Sequence, residues 1–454
     1  MTLGVIGAGH RGAEAYADYC LRHPDQARVV AVAEPDPGRR AAMAAAHGLP
    51  SDRVFTSWED MLAGERLAEA VVVATPDRVR SGPVGAAADL GYAILVEKPV
   101  AVEPGQLDEI LARVAAADVP VAVAHVLRYT QFFRQIKRLL DEGAIGRLIH
   151  LEQTEDPGYW HFVHSYVRGN WRRSDTSSPL LLAKSCHDLD VITWLVGAAP
   201  DRVYSTGRLT QFRPENAPAG APERCTDGCP AAASCPFYAP RFYVERLRER
   251  NTWPVTAVTA DTSEAGRRKA LETGPYGRCV YRCDNDAVDH QVVVLDYADG
   301  TTATLRIGAF TEANTRTVRL LGSHGEIEAR LDTGVVTLRR FLPRPGAELG
   351  GAPRWDRDAE GRSGMPDDEV ITTVTAPVDE ADLIAEPGRR ESDGHAGGDD
   401  GLMREFLAMV WERRERPDAT PHATLPTTLA NAAVSHRIAF AAEESRRTGA
   451  VVTL

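Results

Sequence analysis

The sequence predicts an α/β chain that opens on a doubly wound parallel sheet and continues into a second α/β domain. Three observations carry this reading. A glycine-spaced turn joins a short apolar segment to a helical stretch at the N-terminus. Short, wholly apolar segments then alternate with helix-patterned ones up to residue 124. From residue 125 the pattern changes to longer strands that alternate apolar and polar residues. The boundary is placed there, with 1–124 as the first domain and 125–454 as the second.

The first strand, Leu3 to Ile6, runs into Gly7, Gly9 and Gly12 in the spacing G-x-G-x-x-G, and Glu14 to Leu21 continues with a helical face. The first glycine allows the tight turn, the second lets backbone approach a pyrophosphate, and the third lets helix pack on strand. The helix N-terminus offers unpaired N–H groups and positive dipole to phosphates. The motif follows a strand and opens a helix, as a dinucleotide site requires. A second strand, Arg28 to Ala33, ends in Glu34, a carboxylate placed to bind ribose hydroxyls. Arg39 and Arg40 are candidates for a 2′-phosphate instead, but Glu34 repels one, so NAD is expected over NADP.

The bulk numbers agree. At 454 residues two domains are the prior, and 43% hydrophobic with 26% charged residues is ordinary for a globular protein. A net charge of -12 argues against a nucleic-acid or acidic-membrane partner. No apolar run reaches the roughly 20 residues of a membrane span. The N-terminus has no basic n-region, which predicts a cytoplasmic protein whose seven cysteines are reduced or metal-bound.

After Glu34 come an alanine-rich helix (Arg39 to His47), a short helix (Trp58 to Leu62) and the apolar strand Ala70 to Ala74. That strand ends in Thr75-Pro76-Asp77, at the carboxyl edge where open α/β sheets bind ligands. A helix over Gly82 to Leu90, a strand over Ala93 to Val96 ending in Glu97-Lys98-Pro99, a helix over Pro104 to Ala117 and a strand over Val119 to Ala124 complete the domain.

These residues carry a resemblance. The Gly7–Gly12 loop, Ala74-Thr75-Pro76-Asp77 and Val96-Glu97-Lys98-Pro99 resemble the Gfo/Idh/MocA family of nicotinamide-dependent oxidoreductases. So do His187-Asp188-Leu189-Asp190 and Gly322-Ser323-His324-Gly325-Glu326-Ile327-Glu328. The resemblance implies a Rossmann domain, then an α/β domain whose large open mixed sheet covers the nicotinamide and pairs into homo-oligomers. It implies cofactor contacts at Gly7, Gly9, His10, Arg11, Gly12, Glu34, Thr75, Pro76, Arg80, Glu97, Lys98 and His125, and chemistry at Lys98 and His187. Two positions depart from the family. Ala183 stands where an aspartate is often found, and Arg80 where a histidine is common. Lys184 and Asp188 are candidates to remake the lysine–carboxylate–histidine relay, unless Lys184 serves an anionic substrate.

In the second domain, Tyr159 to Arg173 is dense in aromatics, histidine and arginine. Aromatic faces and polar forks together bind sugars, so Arg128, Tyr129, Tyr159, His164, Arg168 and Trp171 are substrate candidates. Leu180 to Val196 reads as one helix that sets Lys184, His187 and Asp188 along one side. Residues 212–283 look inserted and hold Cys225, Cys229, Cys235, Cys279 and Cys283. Paired cysteines from two loops are how a structural zinc site is built, an iron–sulfur cluster being the other thiolate option. Val288 to Tyr297, Thr301 to Phe310 and Thr315 to Gly322 alternate as strands. Residues 343–398 are rich in Pro, Gly and acids and read as extended loops, with a strand over Val370 to Val378. His395 precedes a helix over Gly401 to Arg413, where Asp399 and Asp400 suit the N-terminus, and Leu429 to Arg446 is the last helix.

The chemistry expected is hydride exchange between nicotinamide and a ring carbon of a carbohydrate-like substrate. Lys98 stabilises the oxygen and His187 moves the proton. Two other readings stand beside it. One is a glycoside hydrolase that oxidises transiently with NAD, eliminates, adds water and re-reduces. The other is a non-catalytic sensor of NAD redox state.

Overall fold

A computed structural model describes residues 1–343, 368–375, 397–416 and 425–454. Six strands form the first sheet: β1 (Thr2–Ile6), β2 (Arg28–Ala33), β3 (Val54–Phe55), β4 (Ala70–Val73), β5 (Ala93–Val96) and β6 (Val121–Val123). Their order is β3-β2-β1-β4-β5-β6 and every pairing is parallel, the doubly wound arrangement that the alternating segments predict. β4 and β5 are buried at every position because helices cover both faces, which is why they read as unbroken apolar runs. The switch of strand order at β1 opens a crevice at the carboxyl ends, where the glycine loop lies.

The second sheet is large and mixed. Its strands are β7 (Leu148–Pro157), β8 (Arg202–Arg208), β9 (His290–Asp296), β10 (Thr302–Gly308), β11 (Asn314–Gly322), β12 (Gly325–Arg330), β13 (Val335–Pro343), β14 (Asp368–Val374) and β15 (Val452–Thr453). The order is β14-β13-β12-β11-β7-β10-β9-β8-β15, with β7 and β10 parallel. β8 and β9 alternate exposed and buried residues along their length, so one face packs on helices and the other carries exposed Tyr204, Val292 and Val294.

Two late helices tie the sheets together. Gly398–Glu415 puts Leu402, Met403, Phe406 and Met409 into the same core as Leu3, Val5 and Tyr19. Leu429–Thr448 buries Leu429, Ala432 and Ala433 against the first sheet, and Ile438, Ala439 and Ala442 against the second. The core of the first sheet is therefore completed by residues far beyond 124. The expected helix over Leu180 to Val196 is broken into Leu180–Ala183 and Cys186–Val196. Most of the expected loop segment 343–398, His395 included, lies outside the described residues. Among those residues no helix is long and apolar enough to cross a membrane.

Candidate active site

The three motif glycines are required for different reasons. Gly7 has φ +93, and a Cβ there meets the Ala74 carbonyl oxygen at 2.7 Å. A Cβ on Gly12 falls 1.9 Å from the Gly7 oxygen, so the helix packs against the turn itself. A Cβ on Gly9 meets nothing within 4 Å, which leaves the loop's outer side open to a ligand. The loop is held to β2 by Gly7 N–H on the Ala33 carbonyl (2.8 Å) and Ala8 N–H on Glu34 Oε2 (2.7 Å).

Glu34 is buried at the end of β2. Its other oxygen accepts from Asp36 N–H and Arg39 Nη2, both at 2.9 Å. Arg40 donates to the Glu34 and Pro35 carbonyls. The two arginines that could have met a 2′-phosphate are thus turned onto Glu34 and its backbone.

Arg11 faces a cluster of anions. Its Nε donates to Glu97 Oε1 (2.6 Å), and its Nη atoms to Asp399 (2.9 and 2.5 Å) and the Tyr16 hydroxyl (2.8 Å). Tyr16 in turn donates to Glu97 at 2.6 Å. Burial by itself raises the Glu97 pKa, but Arg11, Lys98 and the Tyr16 hydroxyl outweigh it and hold the carboxyl at about 2. Burial likewise opposes the Arg11 charge, and Asp399, Tyr16 and Glu97 overcome it, so its pKa lies well above the ordinary value. Arg11 and Glu97, both expected against cofactor, are joined in this network. Asp399 belongs to it rather than simply decorating a helix N-terminus, and Asp400 pairs with Arg22 at 2.8 Å. His10 lies beside Glu14 at 3.5 Å, about half exposed.

Lys98 leaves the end of β5 and donates through Nζ to the Ala183 carbonyl at 2.6 Å. The break in the expected helix falls next to this contact, at Lys184 and Ser185, and the second helix then starts at Cys186. It places His187 with its ring centroid 5.6 Å from that of His125, which follows β6. His125 lies in turn 6.0 Å from His436. His436 Nε2 accepts from Val100 N–H (2.9 Å), and its Nδ1 donates to the Ala432 carbonyl (2.8 Å), which fixes a neutral tautomer. Burial, reinforced by His125, lowers the His436 pKa to about 3, and burial lowers that of His125 as well.

Lys184 lies in the break, outside the helix that carries His187 and Asp188. Lys184 Nζ pairs with Glu155 Oε1 at 3.3 Å, Glu155 also binds Arg316, and Arg316 Nε donates to Asp188 at 2.8 Å. Gln153 donates to the same Asp188 oxygen at 2.7 Å. Glu155 and Arg316, on β7 and β11, are unforeseen members of this buried chain. Their only sequence signal is charge at inward positions of alternating strands.

Arg80 is buried, and its guanidinium bonds the Thr75 and Pro99 carbonyls and Asp77. It clamps the two turns that shape the crevice. Asp77 accepts from Trp171 Nε1 (3.2 Å), Ser177 (3.0 Å) and Ser178 (2.8 Å), so Trp171 docks the second domain onto the turn after β4. Between these contacts Thr75 Oγ1 is buried without a partner among the described residues, at the end of β4 beside Pro76.

The other substrate candidates have partners within the protein. Arg128 forms a two-point bond to Asp190 (2.6 and 2.7 Å) and reaches the Pro426 carbonyl (2.9 Å), while Tyr129 bonds Thr427 (2.7 Å). His164 is buried against Tyr243 (2.8 Å) and stacked on Tyr276. Tyr159 accepts from Arg246 at 2.8 Å on the wall of an aromatic cavity in the inserted lobe. Arg168 points into the cysteine lobe, donating to the Arg278 and Phe237 carbonyls and to Cys225 Sγ. Long arginines in an aromatic stretch read alike whether they line a crevice or fill a core. Among the described residues no three His, Cys, Asp or Glu side chains already stand as a metal-ligand set.

The open side of Gly9, the orphaned Thr75 hydroxyl and the carboxylate ending β2 fit a dinucleotide along the crevice.

Comparison with known proteins agrees with this geometry. Residues 1–125 match the family model described as oxidoreductase family, NAD-binding Rossmann fold, and residues 137–344 match that family's C-terminal alpha/beta domain. The chain is 29% identical over 203 residues to 2,7-anhydro-N-acetylneuraminate hydratase of Mediterraneibacter gnavus, covering 45% of this chain and 51% of that protein. It is 32% identical over 199 residues to inositol 2-dehydrogenase of Leifsonia xyli subsp. xyli, covering 44% of this chain and 54% of that protein. Each match thus spans about half the length of the curated relative. Levoglucosan dehydrogenase, solved with NADH and levoglucosan, shares the fold. Its TM-score is 0.65 at 16% identity, over 100% of this chain and 99% of that one.

Proposed function

Because the chain belongs to the Gfo/Idh/MocA oxidoreductase family, we propose that it moves a hydride between a nicotinamide dinucleotide and a ring carbon of a sugar, cyclitol or sugar derivative. The observation that carries this is the meeting of Lys98, from the end of β5, with the segment that leads into His187. A bound nicotinamide supplies the hydride-accepting carbon. The glycine loop and the Thr75 turn hold the dinucleotide, and Glu34 favours NAD because its charge opposes a 2′-phosphate. Lys98 keeps two ammonium protons beyond the one given to Ala183, and these stabilise the substrate oxygen as it becomes an alkoxide. His187 takes the hydroxyl proton, and His125, with its depressed pKa, adds no competing charge behind it. The substrate class follows the relatives, which act on a cyclitol and an anhydrosugar by name. The uncovered face of the second sheet, with Tyr204, Val292 and Val294, is where a second copy pairs.

The test incubates the full chain with NAD and a panel of cyclitols, free sugars and aryl glycosides, following NADH and released aglycone separately. Steady NADH formation is expected. Aglycone release without NADH supports transient-oxidation hydrolysis, and tight NAD binding with neither product supports a sensor.

A further inference from the structure

The lobe inserted between β8 and β9 holds five cysteines that the proposed hydride chemistry does not use. Two segments are brought side by side there. Cys225 N–H donates to the Gly277 carbonyl (2.8 Å), Cys279 N–H donates to the Glu223 carbonyl (2.9 Å), and Arg224 bridges Arg278 between them. A tight turn then carries the chain through Cys229 to Cys235, whose N–H returns to the Ala231 carbonyl. Cys225, Cys229, Cys235 and Cys279 line one small cavity. Cys283 does not line it, and its thiol donates to the Cys279 carbonyl at 3.4 Å.

The same cavity is lined by Arg168, one of the largest fully buried side chains in the protein. Its guanidinium bonds two carbonyls and, at 3.4 Å, Cys225 Sγ. Among the described residues no carboxylate pairs with it. A buried cation without a counter-charge is costly, and the groups at hand to supply one are the thiols. Neutral thiols do not. A metal that displaces their protons does, since a divalent ion with four thiolates is itself an anion.

We propose that Cys225, Cys229, Cys235 and Cys279 bind one structural zinc ion as a tetrathiolate, with buried Arg168 as its counter-cation. Each thiol loses its proton to solvent as its Zn–S bond forms, and no redox change occurs. The four cysteines line one cavity without standing as a ligand set, so binding draws their side chains together. Zinc suits the site better than an iron–sulfur cluster because hydride transfer needs no one-electron centre beside it.

The experiment measures zinc, iron and sulfide in the full chain purified without chelator. About one zinc per chain is expected. Cys283→Ser keeps it, whereas Cys229→Ser and Cys235→Ser lower it at least about tenfold. Arg168→Met loses zinc to a competing chelator faster than wild type. If the cysteine variants do not fold, the wild-type stoichiometry and the ligand-field bands of cobalt-exchanged protein decide the matter. Iron with inorganic sulfide overturns the proposal, as does zinc below about a tenth per chain with all five lobe thiols titratable in the native state.

Discussion

Lys98 Nζ and the Ala183 carbonyl oxygen, 2.6 Å apart, join the nucleotide-binding sheet to the segment that carries His187. A carbonyl orients the ammonium without adding a second carboxylate to the Glu97 that already faces it. On the proposed chemistry the ammonium stays available to an oxygen that becomes negative only during hydride transfer, where such a cation is worth most. Lys98→Met keeps the length and removes the charge. NAD binding should be intact and turnover should fall roughly 10²-fold or more. Isothermal titration with stopped-flow NADH absorbance checks both halves, and near wild-type turnover would make Lys98 structural.

On the proposed reading, cofactor choice rests on Glu34. Glu34→Gln keeps the side chain's size and one of its two accepting oxygens but removes the charge that opposes a 2′-phosphate. Arg39, released from its ion pair, then becomes a partner for that phosphate. Wild type should bind NAD more tightly than NADP, and the variant should lose most of that preference. Fluorescence titration with both reduced cofactors reads the ratio, and tighter NADP binding by wild type would refute the assignment.

The Arg11–Glu97 pair gives a pH signature. Glu97 sits at about 2 in the folded chain against an ordinary 4.5, so the unfolded chain binds this proton more readily. Its stabilisation is complete above 4.5 and is lost as pH falls from there towards 2. Denaturant unfolding at stepped pH should show stability dropping across that window, and Glu97→Gln should be less stable at neutral pH with a shallower acid slope. An identical slope in the variant would mean that other carboxylates carry the acid sensitivity.

The parallel sheet was legible because strands buried on both faces must be apolar throughout, as β4 and β5 are. The glycine loop was legible because steric demands at Gly7 and Gly12, with an open approach at Gly9 between them, impose one spacing. The break before Cys186 was not, since no glycine or proline marks it and it accompanies a contact from Lys98, 85 residues away. From its neighbours Asp399 reads as a helix-terminal charge, yet its partner Arg11 lies 388 residues distant, beyond any local pattern. Arg128 and Arg168 read as substrate forks in the sequence because side-chain chemistry is the same in a crevice and in a core. Only the fold decides which surrounds them.

Arg128 makes that distinction measurable. Its fork grips both oxygens of Asp190, its third nitrogen reaches the Pro426 carbonyl, and both charged groups are almost wholly buried. Removing one partner of such a pair leaves the other desolvated and uncompensated. Arg128→Met should therefore cost about 3–5 kcal/mol of stability. Replacing both, as Arg128→Met with Asp190→Leu, removes the stranded charge and should cost clearly less than the sum of the two single changes. A substrate-binding arginine predicts the reverse pattern: near-normal melting, a raised KM, and no rescue from the second substitution. Thermal unfolding of the three variants, with KM measured well below their midpoints, separates the two roles.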